Sequence, residues 1–204
     1  MGKPYERKDH FFNKAKAEGL RARSAFKIEE IARRFHVLKK GARVLDLGAA
    51  PGGFLQIIGT AVGPSGHVLG LDLVPIRPFT QPHIRTEVAD VLSEDFDALL
   101  ASWVSAPFDA VISDMAPKTT GIRTTDEARS LRLVHKALEI AATHARPGST
   151  FIAKIFMGGD FELFRDEVRR HYGEVKIVRP EATRGASVEV YVIGLSKRAA
   201  PLGG

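Results

Sequence analysis

The stretch Arg43-Val44-Leu45-Asp46-Leu47-Gly48-Ala49-Ala50-Pro51-Gly52-Gly53-Phe54 constrains the fold more than any other part of the chain. It runs from an apolar segment, through a turn of small residues, into a segment of helical character. A strand, glycine turn and helix in this order open a doubly wound parallel sheet, with the turn at the carboxyl edge where ligands bind. Gly48, Gly52 and Gly53 carry no side chain, so the backbone there is free to approach a bound molecule. The spacing is neither G-x-G-x-x-G nor G-x-x-x-x-G-K-[ST], which disfavours a pyrophosphate-holding loop. A nucleoside without phosphates fits better.

The remaining chain alternates in the same way. Strands are predicted at Arg43–Leu47, His67–Leu71, Ile84–Val88, Phe108–Ser113, Thr150–Ile155, Val175–Val178 and Val188–Leu195, with helices over Gly53–Val62, Thr125–His144 and Phe161–His171. A further helix is expected from an N-cap at Ser24 to about Val37, with Phe26, Ile28, Ile31, Phe35 and Leu38 at helical spacing and Gly41 closing it. The loop Arg179 to Ser187 is too short for a parallel crossover, so the last two strands should pair antiparallel. The expectation is one α/β domain over 24–198: a mostly parallel seven-stranded sheet with an antiparallel last strand and helices on both faces. A basic arm (1–23) precedes it and a flexible tail (199–204) follows.

Composition narrows the chemistry. With 204 residues and 44% apolar content, the chain suits one domain with a real core. It has no cysteine, which excludes disulfides, thiolate metal sites and cysteine nucleophiles and suits a reducing compartment. The seven histidines show no metal-binding spacing, so no metal is expected. The net charge is +6, yet residues 1–40 alone hold 12 basic against 5 acidic side chains. The rest is nearly neutral, and a basic front end suggests a polyanionic partner. Leu47 to Leu71 lacks Asp, Glu, Lys and Arg, but its seven glycines and two prolines argue against a membrane span. A cytoplasmic protein is expected.

Three acidic residues fall at strand ends. Asp72 lies ~20 residues beyond the turn, where an acidic side chain bonds a ribose hydroxyl. Asp90 ends the third strand, within reach of an adenine amino group. Asp114 ends the fourth. Lys154 stands among Phe151, Ile152, Ile155 and Phe156, and Glu189 among Val188, Val190, Tyr191 and Val192. A charged residue in such a run needs a partner, and a plain ion pair at the sheet end is the alternative reading.

D-L-G-A-A-P-G-G-F resembles the S-adenosylmethionine loop of Rossmann-like methyltransferases, and particularly that of the FtsJ/RrmJ family of RNA ribose 2′-O-methyltransferases. R-A-R-S-A-F-K-I (Arg21–Ile28), S-D-M-A-P (Ser113–Pro117), A-K-I-F (Ala153–Phe156) and S-V-E-V-Y (Ser187–Tyr191) follow in the family's order, so that the resemblance spans about residues 9–198. Phe54 stands where bacterial members carry Trp. The resemblance implies a Rossmann-like methyltransferase domain, S-adenosylmethionine as cofactor, and a catalytic set of Lys27, Asp114, Lys154 and Glu189. It also implies a cofactor site of Gly48, Gly52, Gly53, Phe54, Asp72, Asp90 and Asp114. Lys154 would act as base or would steer the hydroxyl, with Asp114 orienting it.

The implied partner is RNA of the large ribosomal subunit. Its target would be a uridine in the A-loop of 23S ribosomal RNA, and the enzyme would act as a monomer. A transfer-RNA anticodon-loop methyltransferase is the runner-up. Lys14, Lys16, Arg21, Arg23, Lys118 and Arg184 are candidates for RNA contact, with Tyr5, Phe11 and Phe12 available to stack on bases. From other classes, a non-catalytic ribosome-assembly factor conflicts with the complete catalytic set, and a nucleotide-dependent oxidoreductase with the missing phosphate fingerprint.

Overall fold

The computed structural model describes residues 6–117, 123–184 and 187–200. Residues 1–5 of the arm, with Tyr5, residues 201–204 of the tail, and Lys118 lie outside them. The strands are Arg43–Leu47 (β1), His67–Asp72 (β2), Ile84–Val88 (β3), Phe108–Ser113 (β4), Ala145–Phe156 (β5), Tyr172–Val178 (β6) and Glu189–Lys197 (β7). The helices are Glu6–Ala17 (α1), Ala25–Phe35 (α2), Gly53–Val62 (α3), Phe96–Trp103 (α4), Arg123–His144 (α5) and Phe161–His171 (α6).

The seven strands form one sheet in the order β3-β2-β1-β4-β5-β7-β6. Pairing is parallel from β3 through β5, while β7 is antiparallel to both β5 and β6. The chain winds outward from β1 in one direction, then returns to build β4 on its other side. That reversal leaves a crevice between β1 and β4 at the carboxyl edge.

The period-two pleat sorts the core into two layers. On one face, Ile28 and Ile31 of α2 and Phe54, Leu55 and Ile58 of α3 pack on Val44, Ala110, Ile112, Ile152 and Ile193. On the other, α4, α5 and α6 bring Phe96, Leu100, Val134, Leu138, Phe164 and Val168 against Leu45, Val111, Phe151 and Val192. None of the described helices is long and apolar enough to cross a membrane.

The structure departs from the sequence expectation locally. α2 ends at Phe35 because His36 takes a left-handed conformation (φ 52°), so Gly41 does not cap it. Val37 and Leu38 still pack on the same core layer, but from the connecting turn. Ser24 occupies the N-cap position with helical dihedrals and makes no side-chain capping bond. Within the basic segment, α1 docks through Phe11 and Ala15, one helical turn apart, onto Phe26 and Ala182. Phe11 therefore packs on Phe26 (ring centroids 5.6 Å apart) and is not free to stack on a base, whereas Phe12 remains exposed.

One core residue is out of character. Asp46 of β1 is fully buried, between register partners Ile112 and Gly70. Neither of its carboxylate oxygens has a hydrogen-bond partner among the described residues. Burial first, then the charges of Asp114 and Asp72, push this carboxyl well above the ordinary range. A carboxyl that holds its proton when folded and releases it when unfolded favours the fold below the unfolded value of about 3.9. That contribution is lost as pH rises from there through the raised folded value. Asp46→Asn, neutral and of equal size, should therefore remove a destabilisation that grows with pH. In denaturant unfolding from pH 4 to 8, the variant should gain on the parent by up to about 1.4 kcal/mol per pH unit across that window. Parallel stability curves would mean that Asp46 is ionised in the folded chain.

Candidate active site

Two residues beyond the Ile112–Asp46–Gly70 row, the same pleat carries Asp114, Gly48 and Asp72 to the carboxyl edge. The register of β5 with β7 pairs Lys154 with Tyr191 and Phe156 with Glu189. Because Ile152 and Ile193 line the α2–α3 layer, Lys154, Tyr191 and Glu189 face that side too. α2 covers it and contributes Lys27, which is only 6% exposed.

The four expected catalytic residues meet as two ion pairs. Lys154 Nζ donates to the Asp114 carbonyl oxygen at 2.7 Å and lies 3.0 Å from Asp114 Oδ1. Lys27 Nζ donates to Glu189 Oε1. Both pairs are largely buried, where an unpartnered charge would be costly. A fifth residue, to which the sequence motifs assign no role, joins them: the Tyr191 hydroxyl donates to Asp114 Oδ1 at 2.6 Å. Tyr191 is fully buried, and burial with the Asp114 charge pushes its phenol well above the usual value. It is thus kept as a donor. Lys27 Nζ lies 5.8 Å from its ring centroid. The signal in the sequence was position: Tyr191 is two residues from Glu189 and so shares its strand face.

The glycine turn is tied to the sheet by its own amides. Gly48 N and Ala49 N both donate to Leu71 O, at 2.9 and 3.0 Å. Ala50 N donates to Asp72 Oδ2 at 2.9 Å, and Val74 N to Asp72 Oδ1 at 3.2 Å. The amides of Gly48, Ala49 and Ala50 are thus used inside the protein. Asp72 keeps further lone pairs for a ribose hydroxyl. Asp90, exposed beyond β3, accepts from Leu92 N at 2.9 Å, and the chain beside it is joined to Asp72 through Ala89 N (3.0 Å).

The turn also packs against the rest of the chain. The glycines make close approaches to the protein itself. A Cβ at Gly48 would lie 2.8 Å from Met115 N, one at Gly52 2.8 Å from Arg21 Nη1, and one at Gly53 3.0 Å from Ala22 Cβ. Phe54 points into the α2–α3 core layer and is 4% exposed, because the helix it begins must bury that face. A cofactor would not find its ring. The carboxylates at this edge, Asp72, Asp90 and Asp114, suit a cationic nucleoside, as S-adenosylmethionine is with its sulfonium and ammonium groups.

Beside the ion pairs opens a cleft of about 570 Å³, lined by Arg23, Ser24, Lys27, Phe156, Arg184, Ser187 and Glu189 among others. This is within the size range of small-molecule sites. Burial first, then the nearby Arg184 charge, hold Arg23 below the ordinary arginine value. Two guanidinium groups facing one cleft make it a place for an anion. The other RNA candidates separate. Lys14 and Lys16 are exposed on α1, Lys14 beside Glu18 at 3.8 Å. The Arg21 guanidinium is bonded to Arg77 O at 2.6 Å and Pro78 O at 3.0 Å. No cluster of three or more potential metal ligands occurs among the described residues.

Comparison with known proteins agrees with this geometry. The family model described as FtsJ-like methyltransferase matches residues 20–197. A Myxococcus xanthus protein named ribosomal RNA large subunit methyltransferase E is 67% identical, over 98% of this chain and 93% of its own length. A Sorangium cellulosum protein of the same name is 45% identical over 97% and 92%. Among solved structures, a Plasmodium falciparum chain described as a ribosomal RNA methyltransferase aligns with TM-score 0.76 at 20% identity, covering 87% of this chain and 98% of that one. The MycE methyltransferase of mycinamycin biosynthesis, solved with magnesium and SAH, aligns with TM-score 0.58 at 18% identity, covering 85% and 47%. These two share the fold. With matching sequence motifs, one sheet face carrying two buried ion pairs, and near full-length relatives, this chain belongs to the FtsJ-like methyltransferase family.

Proposed function

We propose that this protein methylates a ribose 2′-hydroxyl in RNA, its substrate a uridine in the A-loop of 23S ribosomal RNA. The observation that carries the reading is the Lys154–Asp114–Tyr191 cluster, set beside the arginine-lined cleft. S-adenosylmethionine, when bound, supplies the electrophilic methyl group.

A ribose hydroxyl is a weak nucleophile, so the protein must orient it and manage its proton. Two tetrahedral directions of Lys154 Nζ are taken by Asp114. The third remains for the hydroxyl, either to accept its proton or to steer its lone pair. Tyr191 holds the Asp114 carboxylate, so that Asp114 is fixed from two sides. Lys27 and Glu189 form part of the cleft wall. Arg23 and Arg184 supply charge for the phosphates flanking the target nucleotide, and Phe156 offers a face for its base. The burial of the catalytic lysines keeps water away, which suits a transfer that disperses charge. Much of the acceleration comes from alignment. The names of the relatives favour ribosomal over transfer RNA.

Methyl transfer from labelled S-adenosylmethionine should mark large ribosomal subunits prepared from a strain lacking the enzyme, and Lys154→Ala should abolish it. Label confined to transfer RNA would overturn the substrate, and absence of label with cofactor still bound would favour the assembly-factor reading. Asp114→Ala should lose methylation far more than RNA affinity, and equal losses would count against a catalytic role. Tyr191→Phe removes one hydrogen bond to a carboxylate, worth about 1.5–3 kcal/mol. Its kcat should fall by roughly ten- to a hundredfold with the RNA Kd unchanged; an unaltered kcat would leave Tyr191 a packing residue.

A further inference from the structure

Arg21 has more partners than its place in a basic segment would suggest. Its backbone N–H donates to Gln56 Oε1 at 2.7 Å, and Gln56 Nε2 donates back to Gly19 O at 3.0 Å. Its guanidinium reaches Arg77 O (2.6 Å), Pro78 O (3.0 Å) and Pro51 O (3.4 Å). The same group lies 3.7 Å from the Phe79 ring centroid. One side chain thus joins three pieces far apart in sequence: the N-terminal segment, the glycine turn, and the Arg77–Phe79 loop after β2. A rigid planar fork reaches several carbonyls at once, and a lysine does not.

The turn is shaped to receive it. Gly52 has φ +105°, and a Cβ there would lie 2.8 Å from Arg21 Nη1 and 3.0 Å from Phe79. At Gly53 the obstacle would be Ala22. The double glycine therefore admits the N-terminal segment. Two and six residues further on, that segment places Arg23 and Lys27 in the substrate cleft.

We infer that Arg21 is a positioning residue for the cofactor turn: its guanidinium clamps Pro51 to the Arg77–Phe79 loop and sets the shape of the S-adenosylmethionine pocket, with no RNA phosphate as its partner. This rests on the methyltransferase reading for the identity of the cofactor, but not on the choice of RNA. The segment from Arg21 to Lys27 then serves both ligands, so any coupling between the two sites passes through it and is reciprocal.

The test uses the full chain with Arg21→Lys, Arg21→Ala and Phe79→Leu. Calorimetry with S-adenosylhomocysteine gives the cofactor Kd without any RNA. Steady-state rates give KM for S-adenosylmethionine apart from kcat. Salt titration of 23S ribosomal RNA binding counts phosphate contacts. Both Arg21 variants should weaken cofactor binding about tenfold and raise KM for S-adenosylmethionine in step, with kcat at saturating cofactor within about twofold of the parent. Phe79→Leu should shift the cofactor Kd in the same direction by less. The slope of RNA affinity against salt should not change. A merely structural arginine would lower the melting temperature and leave the KM-to-kcat split untouched, which would overturn the inference. So would an unchanged cofactor Kd, or a salt slope reduced by about 0.7, the mark of one lost phosphate contact. Should Arg21→Ala fail to fold, Arg21→Lys and Phe79→Leu carry the same test. Because calorimetry needs no acceptor RNA, a wrong substrate assignment would fail in the methylation assay and leave this result standing.

Discussion

The pleat of the parallel sheet is the constraint on which the rest depends. Every second residue points to one face, and the register aligns Asp46 with Ile112 and Gly70 across three strands. Two residues on, Asp114 and Asp72 emerge at the carboxyl edge on that same face. The antiparallel β5–β7 pair brings Lys154, Tyr191 and Glu189 alongside. A slip of one residue in β4 or β7 would carry its functional side chain to the α4–α6 layer. The buried apolar residues between the functional ones guard against such a slip, since the hydrophobic set of each strand would be misplaced with it. Packing energy thus enforces the geometry of the chemistry.

Charge divides the site into two halves. Beside the crevice Asp72, Asp90 and Asp114 present carboxylates, and the amides of Gly48, Ala49 and Ala50 are bonded to Leu71 O and Asp72. That half suits a cation. Across the site, Arg23 and Arg184 face the cleft and suit an anion. Between the halves stand the two buried pairs, Lys154 with Asp114 and Lys27 with Glu189. Each lysine is neutralised where it is least hydrated, so neither adds an uncompensated charge to the core. A sulfonium donor and a phosphate-bearing acceptor can then sit close together, each on the side that favours it.

The N-terminal segment is part of this construction. α1 docks on Phe26 and Ala182, Arg21 and Ala22 fill the space left by Gly52 and Gly53, and Lys27 reaches Glu189 from α2. The glycines of the turn, whose flexibility reads in sequence as room for a ligand, also make room for the chain itself. Phe54 shows the same exchange: its ring belongs to the core.

The sequence by itself determined the strand–turn–helix at Arg43–Phe54, the alternation that makes an α/β sheet, and the antiparallel end, because these follow from local periodicity and loop length. It also named Lys27, Asp114, Lys154 and Glu189, through motifs that match a family. Only the tertiary structure decided which lysine takes which carboxylate, that Tyr191 bonds Asp114, that Asp46 is buried without a partner among the described residues, and that Arg21 is bonded to Pro51, Arg77 and Pro78. Each of these joins residues from segments far apart in the chain; Lys27 and Glu189 are 162 positions apart. No local pattern encodes such contacts, since they are set by strand register and by the packing of α2 on the sheet. The early end of α2 at His36 is a smaller case, where one left-handed residue overrode an apolar repeat that continued past it.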